Sequence, residues 1–128
     1  MKRTNLIAAF IVMLFALAAC GGPVAKLEQV DNGAAVDLKT GETFTVTLEG
    51  NPTTGYSWEV AEIDPAIIGL AGEPDYKSDS MLIGSGGVFK FTFVAVGAGT
   101  SRVKLIYHRP WEEDVEPLEV FEVQANVK

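Results

Sequence analysis

The sequence predicts an all-β protein, a sandwich of two antiparallel sheets built from about seven short strands. Three observations carry that expectation. Apolar and polar residues alternate with period two along almost the whole chain after residue 20. Turn residues punctuate that alternation at Thr40-Gly41, Asp64-Pro65, 72–74 and Gly97-Ala98-Gly99. No helical period and no internal repeat competes with it.

A short first strand is expected over 34–38. In the second, Phe44, Val46 and Leu48 face one way and Thr43, Thr45 and Thr47 the other. Tyr56, Trp58 and Val60 repeat the pattern, which assigns Trp58 to the core. A short strand lies within 67–71. Phe89, Phe91 and Phe93 then alternate with Lys90 and Thr92, and Val103, Leu105 and Tyr107 with Arg102 and Lys104. Phe121, Val123 and Ala125 form the last strand. Strands of this number and spacing indicate an immunoglobulin-like sandwich. It must hold without a disulfide, because Cys20 is the only cysteine.

The N-terminus suggests export. Lys2 and Arg3 precede an apolar run over 6–19, which is short for the roughly 20 residues of a spanning helix and reads as a signal peptide. The run ends in Leu17-Ala18-Ala19-Cys20, the pattern of a bacterial lipoprotein signal, in which the cysteine thiol is acylated before cleavage. The expected division is a signal peptide over 1–19, a lipidated cysteine and tether over 20–33, and the folded domain over 34–128. The 128-residue chain less a 19-residue leader leaves 109 residues, enough for one core. Loss of Lys2 and Arg3 leaves eight of the ten basic residues against 17 acidic ones, a balance of −9. So acidic a chain is not built to bind nucleic acid. The expected location is the bacterial cell envelope, with membrane contact through lipid on Cys20 alone.

Antiparallel strands send successive connections to alternate ends of a sandwich. Thr40-Gly41, the Asp64 turn and 97–99 fall at one end; 51–55, 80–87 and 108–116 fall at the other. This parity requires 66–83 to count as one irregular strand plus a loop.

Those last three segments are candidates for function. Asn51-Pro52-Thr53-Thr54-Gly55-Tyr56 is stiffened by Pro52 and Gly55 and carries an uncharged tip with two hydroxyls, although any hairpin can use Pro and Gly. Gly84-Ser85-Gly86-Gly87 offers bare backbone, or is simply a turn; no lysine follows to make it a phosphate loop. Arg109-Pro110-Trp111 combines the two residue types most enriched at interface hot spots, and a tryptophan on an acidic loop is misplaced for a core. The run Glu112, Glu113, Asp114 and Glu116 reads as solvated.

In this order the three motifs resemble those of the chagasin-type inhibitors of papain-like cysteine proteases. The resemblance spans roughly residues 35–127. It implies that the first loop enters the protease's cleft, with Thr53 and Thr54 nearest the catalytic cysteine, Gly55 shaping the loop and Tyr56 bracing it. It implies that Gly84, Ser85, Gly86 and Gly87 flank one side of the cleft. Arg109, Pro110 and Trp111 would flank the other, with Trp111 near the enzyme's catalytic histidine. The implied partner is a papain-like cysteine protease, blocked reversibly and without a covalent bond by a monomer that needs no cofactor.

Two other function classes fit these residues less well. Enzyme chemistry is poorly served, since His108 is the only histidine, no Gly-x-Ser-x-Gly elbow exists and Cys20 is committed to lipid. Nothing sets the acidic run apart as an unequal acid and base. A structural or adhesive envelope lipoprotein could use the same sandwich, and only the coincidence of the three loops argues against it.

Overall fold

The alternation seen in the sequence becomes two packed sheets in the computed structural model, which describes residues 22–81 and 84–128. The signal segment and Cys20 lie outside the described residues. The strands are β1 (Ala25–Leu27), β2 (Ala35–Leu38), β3 (Thr43–Gly50), β4 (Ser57–Glu62), β5 (Ile68–Leu70), β6 (Asp75–Ser78), β7 (Gly87–Ala95), β8 (Gly99–His108) and β9 (Glu119–Val127). One sheet orders β1-β3-β7-β5, with β6 beside β5 on the same edge of β7; the other orders β2-β9-β8-β4. The inward residues of both sheets meet in one core. Phe44, Phe91, Phe93, Leu105 and Phe121 are fully buried there, and Phe44 stacks on Phe93 at 5.1 Å. Trp58 is 5% exposed, and its indole N–H donates to the Glu49 carbonyl at 2.9 Å. A buried tryptophan thus finds the partner its polar atom needs.

Three features depart from the sequence expectation. Ala25–Leu27, placed in the tether, is a strand that pairs with β3. Asp75–Ser78, placed in a loop, is a strand that pairs with β7 although all four residues are exposed. The sandwich is also not wholly antiparallel. β1 runs parallel to β3 and β2 parallel to β9, because the chain climbs one sheet as β1, crosses through a 3₁₀ turn at Gln29–Asp31, and descends the other as β2. Each parallel pair sits at a sheet edge, where the N-terminal segment covers backbone that would otherwise be open to another strand.

Register is what positions the loops. Gly50 pairs with Gly87 at the end of the β3–β7 ladder, and Ser57 pairs with His108 at the end of the β4–β8 ladder. The connections 51–56, 79–86 and 109–118 therefore leave from the same end of the sandwich.

Candidate functional site

The first loop is a single 3₁₀ turn, Pro52–Thr54, capped at both ends. Pro52 occupies its first position, where a missing N–H costs nothing. Asn51 caps it, its Oδ1 accepting from the Thr53 N–H at 3.1 Å and the Thr53 hydroxyl at 2.6 Å. Thr54 Oγ1 donates to the Asn51 carbonyl at 2.6 Å. Both hydroxyls of the tip turn back onto Asn51 and are engaged within the loop. Gly55 closes the turn at φ 87°, a left-handed conformation that favours glycine. Pro52, Thr53 and Thr54 are exposed, and the turn carries no charge.

Asn51 also ties this loop to its neighbours. Its Nδ2 donates to the Gly84 carbonyl at 2.9 Å, across to the glycine-rich loop. Its backbone N–H donates to the Tyr107 hydroxyl at 2.8 Å. Tyr107 is buried, with its ring between Tyr56 at 5.3 Å and Trp58 at 5.2 Å. Reading Tyr107 only as an inward strand residue missed this role. The available signal was its hydroxyl, since a buried tyrosine next to a loop needs a hydrogen-bond partner. Tyr107→Phe strands the Asn51 N–H, at a cost of about 1 kcal/mol. The expected result is a Tm lower by about 5 °C in thermal unfolding.

The glycine-rich loop is closed at its neck by serines. Ser78 Oγ donates to the Ser80 carbonyl at 2.6 Å, as does Ser85 Oγ at 3.1 Å. Gly84 is exposed, whereas Ser85 and Gly86 are half-buried. Gly87 differs from the other three. It is buried in β7, and a Cβ there would lie 2.2 Å from the Lys77 carbonyl oxygen. Its place is to let β6 approach β7 at the base of the glycine-rich loop.

Arg109 joins the third loop to the first. Its Nε donates to the Thr54 carbonyl at 3.1 Å, and its guanidinium lies 4.5 Å from the centre of the Tyr56 ring. Half-buried Tyr56 is thereby held between Arg109 and Tyr107, as a brace. The Glu112 N–H bonds the Arg109 carbonyl at 3.0 Å, forming a turn with exposed Pro110 at its second position. That turn lays the Trp111 ring over Gly55. A Cβ on Gly55 would stand 2.4 Å from Trp111 Cη2. The indole is still 68% exposed. Next to this cluster, His108 Nε2 lies 2.6 Å from Glu59 Oε2, so the histidine is engaged by a neighbouring strand.

All three predicted segments thus meet in one ridge: a capped, uncharged tip with a glycine loop on one side and an exposed indole on the other. Such a surface has fixed shape and few groups to immobilise, which favours insertion into a cleft. Among the described residues no group of three or more His, Cys, Asp or Glu side chains is arranged to hold a metal ion.

Comparison with known proteins agrees with this geometry. Residues 37–125 match the model of the Chagasin family peptidase inhibitor I42. The chain is 33% identical to chagasin of Trypanosoma cruzi over 90 residues, 67% of this chain and 82% of chagasin. It is 30% identical to amoebiasin-1 of Entamoeba histolytica over 106 residues, 80% of this chain and 99% of the relative. Among solved structures, a cysteine protease inhibitor from Entamoeba histolytica superposes with a TM-score of 0.71 at 25% identity, covering 84% of this chain and all of that one.

Proposed function

The chain belongs to the chagasin family of peptidase inhibitors, and from that premise we propose that its three joined loops act as one wedge in the cleft of a papain-like cysteine protease. The protein is an inhibitor of papain-like cysteine proteases and not an enzyme. The observation that carries the wedge reading is the pair of bonds from Asn51 to Gly84 and from Arg109 to Thr54, which fasten both flanking loops to the tip.

The tip, Thr53 and Thr54, enters the cleft and lies over the catalytic cysteine. No carbonyl of the tip is offered for cleavage, because the 3₁₀ turn is not the extended backbone that a protease cuts, so binding is reversible. Gly84, Ser85 and Gly86 lie along one wall. Trp111, with Pro110 beneath its turn, lies on the other. Arg109, Asn51 and Tyr56 act as positioning residues. An interface of about 1,600 Å² is the ordinary size for protease–inhibitor pairs and is compatible with very tight binding. One monomer blocks one protease.

Titrating residues 22–128 against active papain with a fluorogenic substrate tests the function. The expected result is stoichiometric inhibition that is reversed on dilution. A folded domain that leaves papain and a panel of its relatives uninhibited at micromolar concentration would return the protein to the structural-lipoprotein reading. Within the same assay, Trp111→Ala is expected to cost about 2 kcal/mol, a roughly 30-fold rise in the inhibition constant. An unchanged constant removes Trp111 from the interface.

The sequence further supports export and anchoring. Residues 1–19 act as a cleaved leader, and Cys20 carries the acyl chains that hold the mature protein on a membrane of the bacterial cell envelope. Residues 21–23 remain as tether, since the fold begins at β1 and not at 34.

A further inference from the structure

We infer that the pole of the sandwich opposite the three loops is a membrane-facing surface, which rests on a phospholipid bilayer and presents the wedge away from it. The inference rests on the anchoring of Cys20 proposed above and adds to it a direction and a distance.

The direction comes from β1. Val24 donates its N–H to the Thr43 carbonyl at 2.8 Å, and Ala25 pairs with Phe44 in parallel register. The chain therefore enters the fold beside the first residues of β3, whereas the first loop leaves from the last, Gly50. The eight residues of β3 carry the chain seven steps from one level to the other, about 23 Å at the rise of an extended strand. The distance comes from the tether. Val24 stands four positions after Cys20, which spans at most about 14 Å. A lipid on Cys20 thus keeps the entry pole against the headgroups and cannot let the domain invert.

The surface at that pole suits the contact. Val24 and Val96 are each 47% exposed, and exposed Pro65, Ala66 and Ala98 lie in the turns beside them. The charges there are few and mixed, Lys39 and Lys128 against Asp37, Glu42 and Asp64. The loop pole carries Glu112, Glu113, Asp114 and Glu116 against Arg109. Anionic lipid repels the second pole more than the first, which reinforces the upright pose. The consequence is selective: the anchored inhibitor captures proteases arriving from the aqueous side. It cannot reach one whose cleft lies close to the same bilayer.

The test uses the mature chain coupled through Cys20 to a maleimide phospholipid, in vesicles of phosphatidylcholine and phosphatidylglycerol with a fraction of nitroxide-headgroup lipid. Two chains are compared, the native one and Trp111→Phe combined with Ala98→Trp; buried Trp58 gives both the same background. The indole at 98 is expected to lose more than half its emission to the nitroxide, and the indole at 111 less than a tenth. Thr40→Trp with Trp111→Phe repeats the measurement should the first variant fold poorly. Equal quenching at the two poles, or the reverse order, overturns the inference. The anchoring is read separately, from the mass of the protein recovered from membranes of a bacterium expressing the full chain. A Cys20 without acyl chains would overturn the anchoring and with it the membrane-facing role in the cell, whereas a failure in the vesicles with Cys20 acylated would overturn the orientation alone.

Discussion

Thr54→Glu raises the inhibition constant against papain by at least a thousandfold while leaving the domain folded. Thr54 is exposed at the tip of a turn that bears no charge. A carboxylate placed there must shed its water to enter the cleft. An unpaired charge in a desolvated interface costs several kcal/mol, and about 4 kcal/mol is already a factor of roughly a thousand. The substitution also removes the bond from Thr54 Oγ1 to the Asn51 carbonyl, worth about 1 kcal/mol. That second loss is common to folding and binding, so it appears as a Tm shift of about 4–8 °C. Thr54→Ser keeps the hydroxyl and is expected to stay within about threefold of the native constant. A glutamate variant that inhibits as well as the native chain would mean that the tip stays outside the cleft.

Gly55→Ala is the second large effect, and it works through two residues at once. The backbone at 55 has φ 87°, where a side chain costs about 1–2 kcal/mol. The new methyl would also stand 2.4 Å from Trp111 Cη2, so the indole must leave its place. Displacing a hot-spot tryptophan forfeits about 2 kcal/mol or more, a rise of roughly 30-fold or more in the inhibition constant, while the backbone cost is common to the free and bound inhibitor and appears as a lower Tm. The double variant with Trp111→Ala separates the contributions. If glycine at 55 serves to seat the indole, the two changes together cost clearly less than their product. Fully multiplicative effects would show that the two residues act independently, and that the contact between them is incidental.

How much of this was legible before the structure depends on the length and burial of each element. β3, β7, β8 and β9 bury one face along eight or more residues, and their alternation is unmistakable. β1 has only three residues and β6 buries none, so neither leaves a periodic trace. The parallel pairing of β2 with β9 has no local signal at all, because it joins segments from opposite ends of the chain. The loop cluster was legible because antiparallel parity and the register of Gly50 with Gly87 lead to the same end. What the sequence concealed was direction. It placed two hydroxyls at the tip, but a cap such as Asn51 draws donors back into the turn, and only geometry reveals that. Gly87 looked like its three neighbours, yet the ladder begins there, and what lies beside it is a strand without a hydrophobic signature. Arg109 was expected to flank the cleft; that its Nε also bonds the Thr54 carbonyl and ties two loops together had no signal in the sequence.

The early segment that crosses between the sheets has a bearing on how the protein is made. β2 is closed on one side by β9, with Ala35 paired to Gln124 and Leu38 to Val127. A ladder joining the beginning of the domain to its end cannot form until the final strand is available. Chains dominated by such distant pairings fold in milliseconds to seconds, far more slowly than helical bundles. While synthesis proceeds, the growing polypeptide lacks the partner that completes its second sheet. The first strand of that sheet therefore stays unpaired on this side until β9 has been made.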